Sequence, residues 1–266
     1  MTEPAPDYTH GHTDAVLRVH RWRTVANSAA YLRPHLRPDI ALLDVGCGPG
    51  SLTADLAREV APGRTVGIDS SSDVLAEARA AASDAGVDVD LRTGDVYDLD
   101  LPGDAFDVVH AHQLLQHLTD PVAALVEMRR VCRPGGVVAV REVDFGTAAA
   151  HPDVVTDWLE VYAAAARVLG GEPYAGRHLL SWAQAAGFGD VTCTASAWCF
   201  ATPDDRAWWG GSWAERVVSS NYAVEAVRRG LSTSERNAAI AEAWRDWVAD
   251  PSATFTITHT EIVARA

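Results

Sequence analysis

Short apolar runs recur along the first 145 residues, each closed by a polar or glycine position and followed by a stretch of helical spacing. The runs at 40–45, 65–68, 87–92, 106–111 and 137–143 read as five strands. The stretches at 51–60, 72–85 and 120–132 read as helices. Ala, Leu, Glu and Arg dominate the second, and Asp120 followed by Pro121 is a start signal for the third. Arg133-Pro134-Gly135-Gly136 stops that helix. Apolar strands alternating with helices predict a parallel sheet covered on both faces, and the right-handed crossover leaves a doubly wound topology. Residues 7–36 read as helical, with Val16, Leu17, Val19, Trp22, Val25 and Ala29 on one stripe.

The rhythm changes after residue 145. Helices are predicted over 153–169, 177–186, 204–229 and 233–248, and strands over 191–200 and 255–263. In the last of these, Phe255, Ile257 and His259 alternate with Thr256, Thr258 and Thr260. Trp198, Trp208, Trp209, Trp213 and Trp244 crowd into the same region. They pack a helical core or, for some of them, line an apolar substrate pocket.

The chemistry-bearing segments lie at the predicted strand ends. Leu42-Leu43-Asp44-Val45-Gly46-Cys47-Gly48-Pro49-Gly50 runs a buried strand into a glycine turn and then a helix. Glycines there let a ligand sit against the backbone, and the following helix offers free N–H groups. The GxxxxGK[ST] phosphate loop is absent, which argues against ATP or GTP hydrolysis. Asp69 ends the second strand, where the crevice of a doubly wound sheet opens, and can accept from both hydroxyls of a ribose. Capping of the next helix is its other role, although Ser70, Ser71 and Ser72 can do that. Asp95, in Gly94-Asp95-Val96, can accept from an adenine amino group with the Val96 backbone beside the ring, or simply close a turn. The fourth strand delivers Phe106-Asp107-Val108-Val109-His110-Ala111-His112-Gln113-Leu114-Leu115-Gln116-His117-Leu118 to the same edge.

In this order and spacing, the segments between 40 and 145 resemble the class I S-adenosylmethionine-dependent methyltransferases. The FDVV…HL…LxExxRVCRPGG stretch is most similar to the ubiquinone/menaquinone-biosynthesis branch and its small-molecule relatives. The resemblance implies one α/β domain over 1–266, with a doubly wound, seven-stranded, mostly parallel sheet whose last strand is antiparallel. The core would span about 37–145, 177–200 and 253–266, and helical lid additions about 7–36, 146–176 and 201–250 would roof the site. It implies S-adenosyl-L-methionine as cofactor. Asp44, Gly46, Gly48 and Gly50 would hold its methionine part, Asp69 the ribose with Ser70 adjacent to the adenine, and Asp95 and Val96 the adenine. His112 would stand beside the amino-acid end and sulfonium. His112 and His117 are the candidate bases. The acceptor would be a small molecule, methylated at O, C, N or S. The alternatives are a non-methylating cyclase or binding protein on the same scaffold, and an NAD-dependent oxidoreductase, which the GxGxG spacing disfavours.

Further pocket candidates are Glu142 and Asp144, only one of which is expected to point inward with Phe145. Arg141 is expected to pair with either carboxylate, and Tyr174 and Arg177 join the pocket list. The segment from Tyr8 to Arg23, with His10, His12 and His20, is expected to close as a lid. His10 and His12 lack further ligands at metal-site spacing, so no metal is expected.

Charge narrows the partners. Lys plus Arg total 22 against 36 Asp plus Glu, a formal net charge of −14, which disfavours nucleic acid. No apolar stretch is long enough for a membrane span, and the start lacks a basic-then-apolar leader. Cys47, Cys132, Cys193 and Cys199 show no CxxC spacing and read as free thiols of a reducing cytoplasm. The Ala-, Arg-, Asp- and Val-rich, Lys-poor style points to a high-GC bacterium.

Overall fold

The computed structural model of the protein describes residues 20–266. Seven strands form one sheet: β1 (Leu42–Val45), β2 (Thr65–Asp69), β3 (Asp90–Thr93), β4 (Phe106–His112), β5 (Cys132–His151), β6 (Val191–Phe200) and β7 (Thr254–Arg265). Their order across the sheet is β3-β2-β1-β4-β5-β7-β6. The first five strands pair in parallel, and β7 runs antiparallel between β5 and β6. The order reverses between β1 and β4, the switch point at which such sheets open a crevice beyond their carboxyl ends.

The helices are α1 (Val25–Ser28), α2 (Ser51–Val60), α3 (Ser72–Ala85), α4 (Pro121–Val131), α5 (Thr156–Val168), α6 (Ala175–Ala185), α7 (Pro203–Ser219), α8 (Asn221–Arg228) and α9 (Ser234–Ala249). Short 3-10 turns occupy Ala30–His35 and Leu115–His117. Every residue of β1 is buried, as a central parallel strand requires. Leu43, Val45, Val109 and Val138 pack on one face beneath α4 and α6, which contribute Leu125, Met128, Leu179 and Ala183. Leu42, Val108 and Ala139 pack on the other with Leu32, Leu52 and Leu56. A third cluster, against the second half of β5, joins α5 to α9 through Trp158, Tyr162, Trp213, Trp244 and Phe255. Most of these aromatic pairs meet edge to face; Trp158 and Trp213, for example, are 4.5 Å apart between ring centroids.

The predicted elements between 40 and 132 return within a few residues of their expected bounds, and 51–60 and 72–85 return unchanged. Asp120 caps α4, its Oδ1 accepting from the Ala123 N–H at 2.9 Å. Three expectations need correction. Residues 20–36 are interrupted rather than one continuous helix: His20 and Arg21 are helical, Thr24 caps a separate turn at Val25–Ser28, and a 3-10 turn containing Pro34 follows; residues 7–19 lie outside the described residues. β5 continues past residue 143, resuming its ladder at Ala149 after an irregularity at Asp144, because β7 is long enough to pair with it. The helix expected over 204–229 breaks at Ser220, whose extended backbone ends α7 and begins α8 while its hydroxyl donates to the Arg216 carbonyl at 2.6 Å.

Candidate active site

A cleft opens where β1, β2 and β4 end. Its lining includes Asp44, Gly46, Cys47, Gly48, Asp69, Ser70, His112, Gln113, Leu114 and His117. Gly48 adopts φ +54°, and a Cβ there would point into open space, with only His20 Nδ1 nearby at 3.9 Å. That bare backbone forms the floor of the cleft. The Gly48 N–H donates to Asp69 Oδ2 at 2.9 Å, and the Ser71 N–H donates to Oδ1 at 3.0 Å. The β2 carboxylate thus fixes the glycine turn, and each oxygen keeps a lone pair for a ligand. Ser71, not Asp69, caps α3.

The other predicted cofactor residues divide. Gly50 is absent from the cleft wall. A Cβ there would lie 2.7 Å from Ala78 Cα, so this glycine lets α2 approach α3. Asp95 is exposed, accepting from the Tyr97 N–H at 2.9 Å, and Val96 packs against the apolar core; neither lines the cleft. Asp44 is buried and doubly engaged, bonded to His110 Nδ1 at 2.8 Å and accepting from the Thr53 hydroxyl at 2.6 Å.

Parallel register explains the Asp44–His110 pair, since the two residues sit side by side on β1 and β4. One rung further along, His112, Arg141, Glu261 and Thr194 align across β4, β5, β7 and β6. Arg141 Nη1 donates to His112 Nε2 at 3.0 Å, and its Nε donates to Glu261 Oε1 at 3.1 Å. Trp198 covers the guanidinium at 4.8 Å. Arg141 therefore pairs with Glu261 rather than with Glu142 or Asp144: successive residues of a strand face opposite sides, and Arg141 faces away from both. Because His112 Nε2 accepts from Arg141, its proton sits on Nδ1. Burial, and then the Arg23 and Arg141 charges, hold this imidazole well below its ordinary pKa.

Glu142 and Asp144 share the opposite face, so the expectation that only one points inward fails; residues two apart on a strand point the same way. Neither lines the cleft. The buried Glu142 accepts from the N–H groups of Leu114 at 2.8 Å and Leu115 at 2.7 Å, pinning the loop that carries His117. Burial raises its carboxyl to about 7 against the opposing pull of those N–H groups. Asp144 holds Arg177 in a bidentate pair at 2.7 and 2.8 Å. Arg177 in turn stacks on Tyr174 at 4.7 Å, so both are structural partners rather than pocket walls.

A second cavity adjoins the first. Phe145, Trp198, Trp209, Trp213 and Ile257 form apolar walls, and Arg216, Gln116 and His259 add polar groups. His20, Arg23, Gln113 and His117 line both cavities. Trp244 packs in the core, and Trp198, Trp209 and Trp213 belong to the same core while also lining this second cavity. Gln113, which the sequence reading passed over, stands at φ +52° immediately after β4, an uncommon conformation for a non-glycine residue. Its Oε1 accepts from Arg23 at 2.7 Å and its amide nitrogen donates to His259 Nε2 at 2.8 Å. His259 and Arg216 carried no signal in the sequence, since the first sits among threonines and the second in an ordinary helix. Burial, with the charges of Arg23 and Arg216, pushes His117 down to about 3, which makes it a neutral hydrogen-bonding group rather than a strong base.

The segment at residues 20–23 crosses both cavities. The Ser51 hydroxyl donates to the His20 carbonyl at 3.0 Å, and Arg21 pairs with Glu77 at 2.7 Å. Trp22 packs edge-on against Trp198, 5.2 Å away. Among the described residues no cluster of three or more His, Cys, Asp or Glu could hold a metal, and no helix is long and apolar enough to cross a membrane.

A family model described as a methyltransferase domain matches residues 36–194, which span β1 to β5 and the glycine cleft apart from His20 and Arg23. The chain belongs to the class I S-adenosylmethionine-dependent methyltransferases. It is 33% identical to an uncharacterized methyltransferase of Schizosaccharomyces pombe over 99% of this chain and 98% of that protein. It is 36% identical to a ubiquinone biosynthesis O-methyltransferase of Cereibacter sphaeroides over 37% of this chain and 39% of that one. Among solved structures, a Haemonchus contortus phosphoethanolamine N-methyltransferase 2 in complex with S-adenosyl-L-methionine shares the methyltransferase fold. Its TM-score is 0.60 at 16% identity, covering 99% of this chain and 60% of that one. The NAD-dependent oxidoreductase alternative has no support in these comparisons.

Proposed function

We propose that this methyltransferase moves a methyl group from S-adenosyl-L-methionine to a small organic molecule, with the glycine cleft as donor site and the aromatic cavity as acceptor site. The observation that carries this reading is the shared wall: His20, Arg23, Gln113 and His117 border both chambers, so donor and acceptor would meet across them. The cleft suits the cofactor. Gly48 leaves a Cβ-free floor, and Asp69 and Ser70 supply acceptors at its β2 end, where ribose hydroxyls need them. Asp44 and Gly46 border the methionine end, with Arg23 placed to meet its carboxylate, while Gly50 supports the turn from behind. Asp95 and Val96 stand at the neighbouring strand end, on the side where the adenine would extend.

When bound, the cofactor supplies an activated methyl group on a sulfonium. The protein's part is to orient and to exclude water. Glu142 fixes the 114–116 turn, and Gln113 links Arg23 to His259, which sets the spacing of the shared wall. His112 is held neutral by Arg141 and presents an N–H rather than a base. His117, neutral at working pH, would accept a hydrogen bond from an acceptor hydroxyl. The segment at 20–36, α5 and α7–α9 roof the site as additions to a single methyltransferase domain acting in the cytoplasm.

The test is turnover with a methyl-labelled donor against a panel of phenols, quinols, carboxylic acids, amines and thiols, with calorimetric titration of S-adenosylhomocysteine. Label transfer with saturable binding is expected. A cleft that binds neither donor nor product would end the proposal.

A further inference from the structure

The sheet face beneath α2 changes character along its strands. Leu42, Val108 and Val137 form an apolar rung across β1, β4 and β5, and the next rung on that face, nearer the cleft, holds Asp44, His110 and Ala139. Asp44 is 3% exposed and His110 is fully buried. Two polar side chains at the centre of a parallel sheet cost stability unless they are well engaged. The backbone ladder already joins β1 to β4 over four residue pairs, so the strands need no side-chain brace at this point.

Two donors converge on the carboxylate. His110 Nδ1 lies 2.8 Å from Asp44 Oδ1, and the Thr53 hydroxyl donates to Oδ2 at 2.6 Å. A carboxylate oxygen only accepts, so the His110 proton is on Nδ1. Its Nε2 is buried and has no hydrogen-bond partner among the described residues. The imidazole thus leaves one nitrogen unmet while giving the other to Asp44, a cost that an apolar residue in its place would not carry. Donors from β4 and from the first turn of α2 together fix the plane of the carboxylate, and each oxygen keeps a lone pair. Asp44 lines the glycine cleft beside Gly46. An oriented anion in that wall is complementary to a cation that donates N–H bonds, and the methionine part of S-adenosyl-L-methionine carries an ammonium group.

We propose that His110 is a positioning residue of the donor site: with Thr53 it holds the Asp44 carboxylate toward the α-ammonium group of the cofactor, and so sets the preference for a ligand that carries this group. The proposal rests on the reading of the glycine cleft as the cofactor site. Without its donors the buried carboxylate loses both its alignment and the partners that offset its desolvation.

The test is calorimetry on the full chain with two probes, S-adenosylhomocysteine and its deamino analogue, in which hydrogen replaces the α-amino group. The wild type is expected to bind the first at least about tenfold more tightly, the scale of one charge-assisted hydrogen bond. His110→Leu should bring that ratio below about threefold by weakening S-adenosylhomocysteine alone, with the analogue's affinity held within about twofold. His110→Asn keeps an N–H near the Nδ1 position and should restore most of the ratio. Should His110→Leu unfold, Thr53→Val removes the other donor at nearly constant volume and decides by the same ratio. A wild-type ratio near one, a ratio that the variants leave unchanged, no rescue by asparagine, or an equal loss for both probes would overturn the proposal, the last by showing His110 to be a brace of the sheet. Failure of the wild type to bind S-adenosylhomocysteine at all would instead strike the reading of the cleft as the cofactor site, so the two failures are told apart.

Discussion

Arg141 donates to His112 Nε2 at 3.0 Å, deep in the sheet and next to the glycine cleft. The bond assigns His112 a structural duty: it is the acceptor for a guanidinium whose side chain is 1% exposed. Removing that acceptor leaves a charged donor unmet. His112→Ala should lower stability to denaturant by about 1–3 kcal/mol, whereas His112→Gln, which keeps an acceptor, should lose much less. Equal losses in the two variants would show that the hydrogen bond is not what holds the residue.

Asp69 braces the glycine turn and faces the cleft. Asp69→Ala should weaken S-adenosylhomocysteine binding by about 1.5–3 kcal/mol, the scale of hydrogen bonds to a charged group. Calorimetric affinity indistinguishable from the native protein would show the carboxylate to be a brace alone.

Gly48 and Gly50 should separate binding from folding. Ala at 50 places a Cβ 2.7 Å from the Ala78 backbone at φ +79°, with nothing flexible to move aside. Gly50→Ala should cost about 2 kcal/mol or more of stability. Gly48→Ala has room for its Cβ, so its stability loss should stay near the strain of a positive φ, about 1 kcal/mol, while cofactor affinity falls. Thermal melts with and without S-adenosylhomocysteine read both effects.

Much of this was legible in the chain. The glycine turn, Asp69 and the strand–helix alternation were readable because local rules govern them: a turn needs glycine, and a buried strand needs an apolar run. His112 lies at the end of β4 on the cleft wall, but its partner was not foreseeable. Arg141 meets it through a neighbouring strand, and Glu261 lies 120 residues further along. The aromatic cavity was the least legible part. Trp198, Trp209, Trp213, Arg216 and His259 come from three separate elements whose convergence only the sheet order and the α7 packing create. Gly50 misled because a packing glycine and a ligand-contacting glycine look alike in a motif.

Glu142 gives a pH dependence with a definite sign. Its folded-state pKa is raised from 4.5 to about 7 by burial. Native Glu142 therefore keeps a proton that the unfolded chain releases, and the associated stability is fully present below about pH 4.5 and lost as pH rises to about 7. Glu142→Gln keeps an acceptor for the Leu114 and Leu115 N–H groups and cannot ionise. The variant's stability should gain on the wild type by up to about 3 kcal/mol across that window, read by urea titration at a series of pH values. A constant difference across the window would contradict the assignment.

The strap formed by His20, Arg21 and Arg23 is tied to Ser51, Glu77 and Gln113, three anchor points on different parts of the molecule. Because His20 and Arg23 border both cavities, loosening any one of these anchors would disturb the walls of the two together.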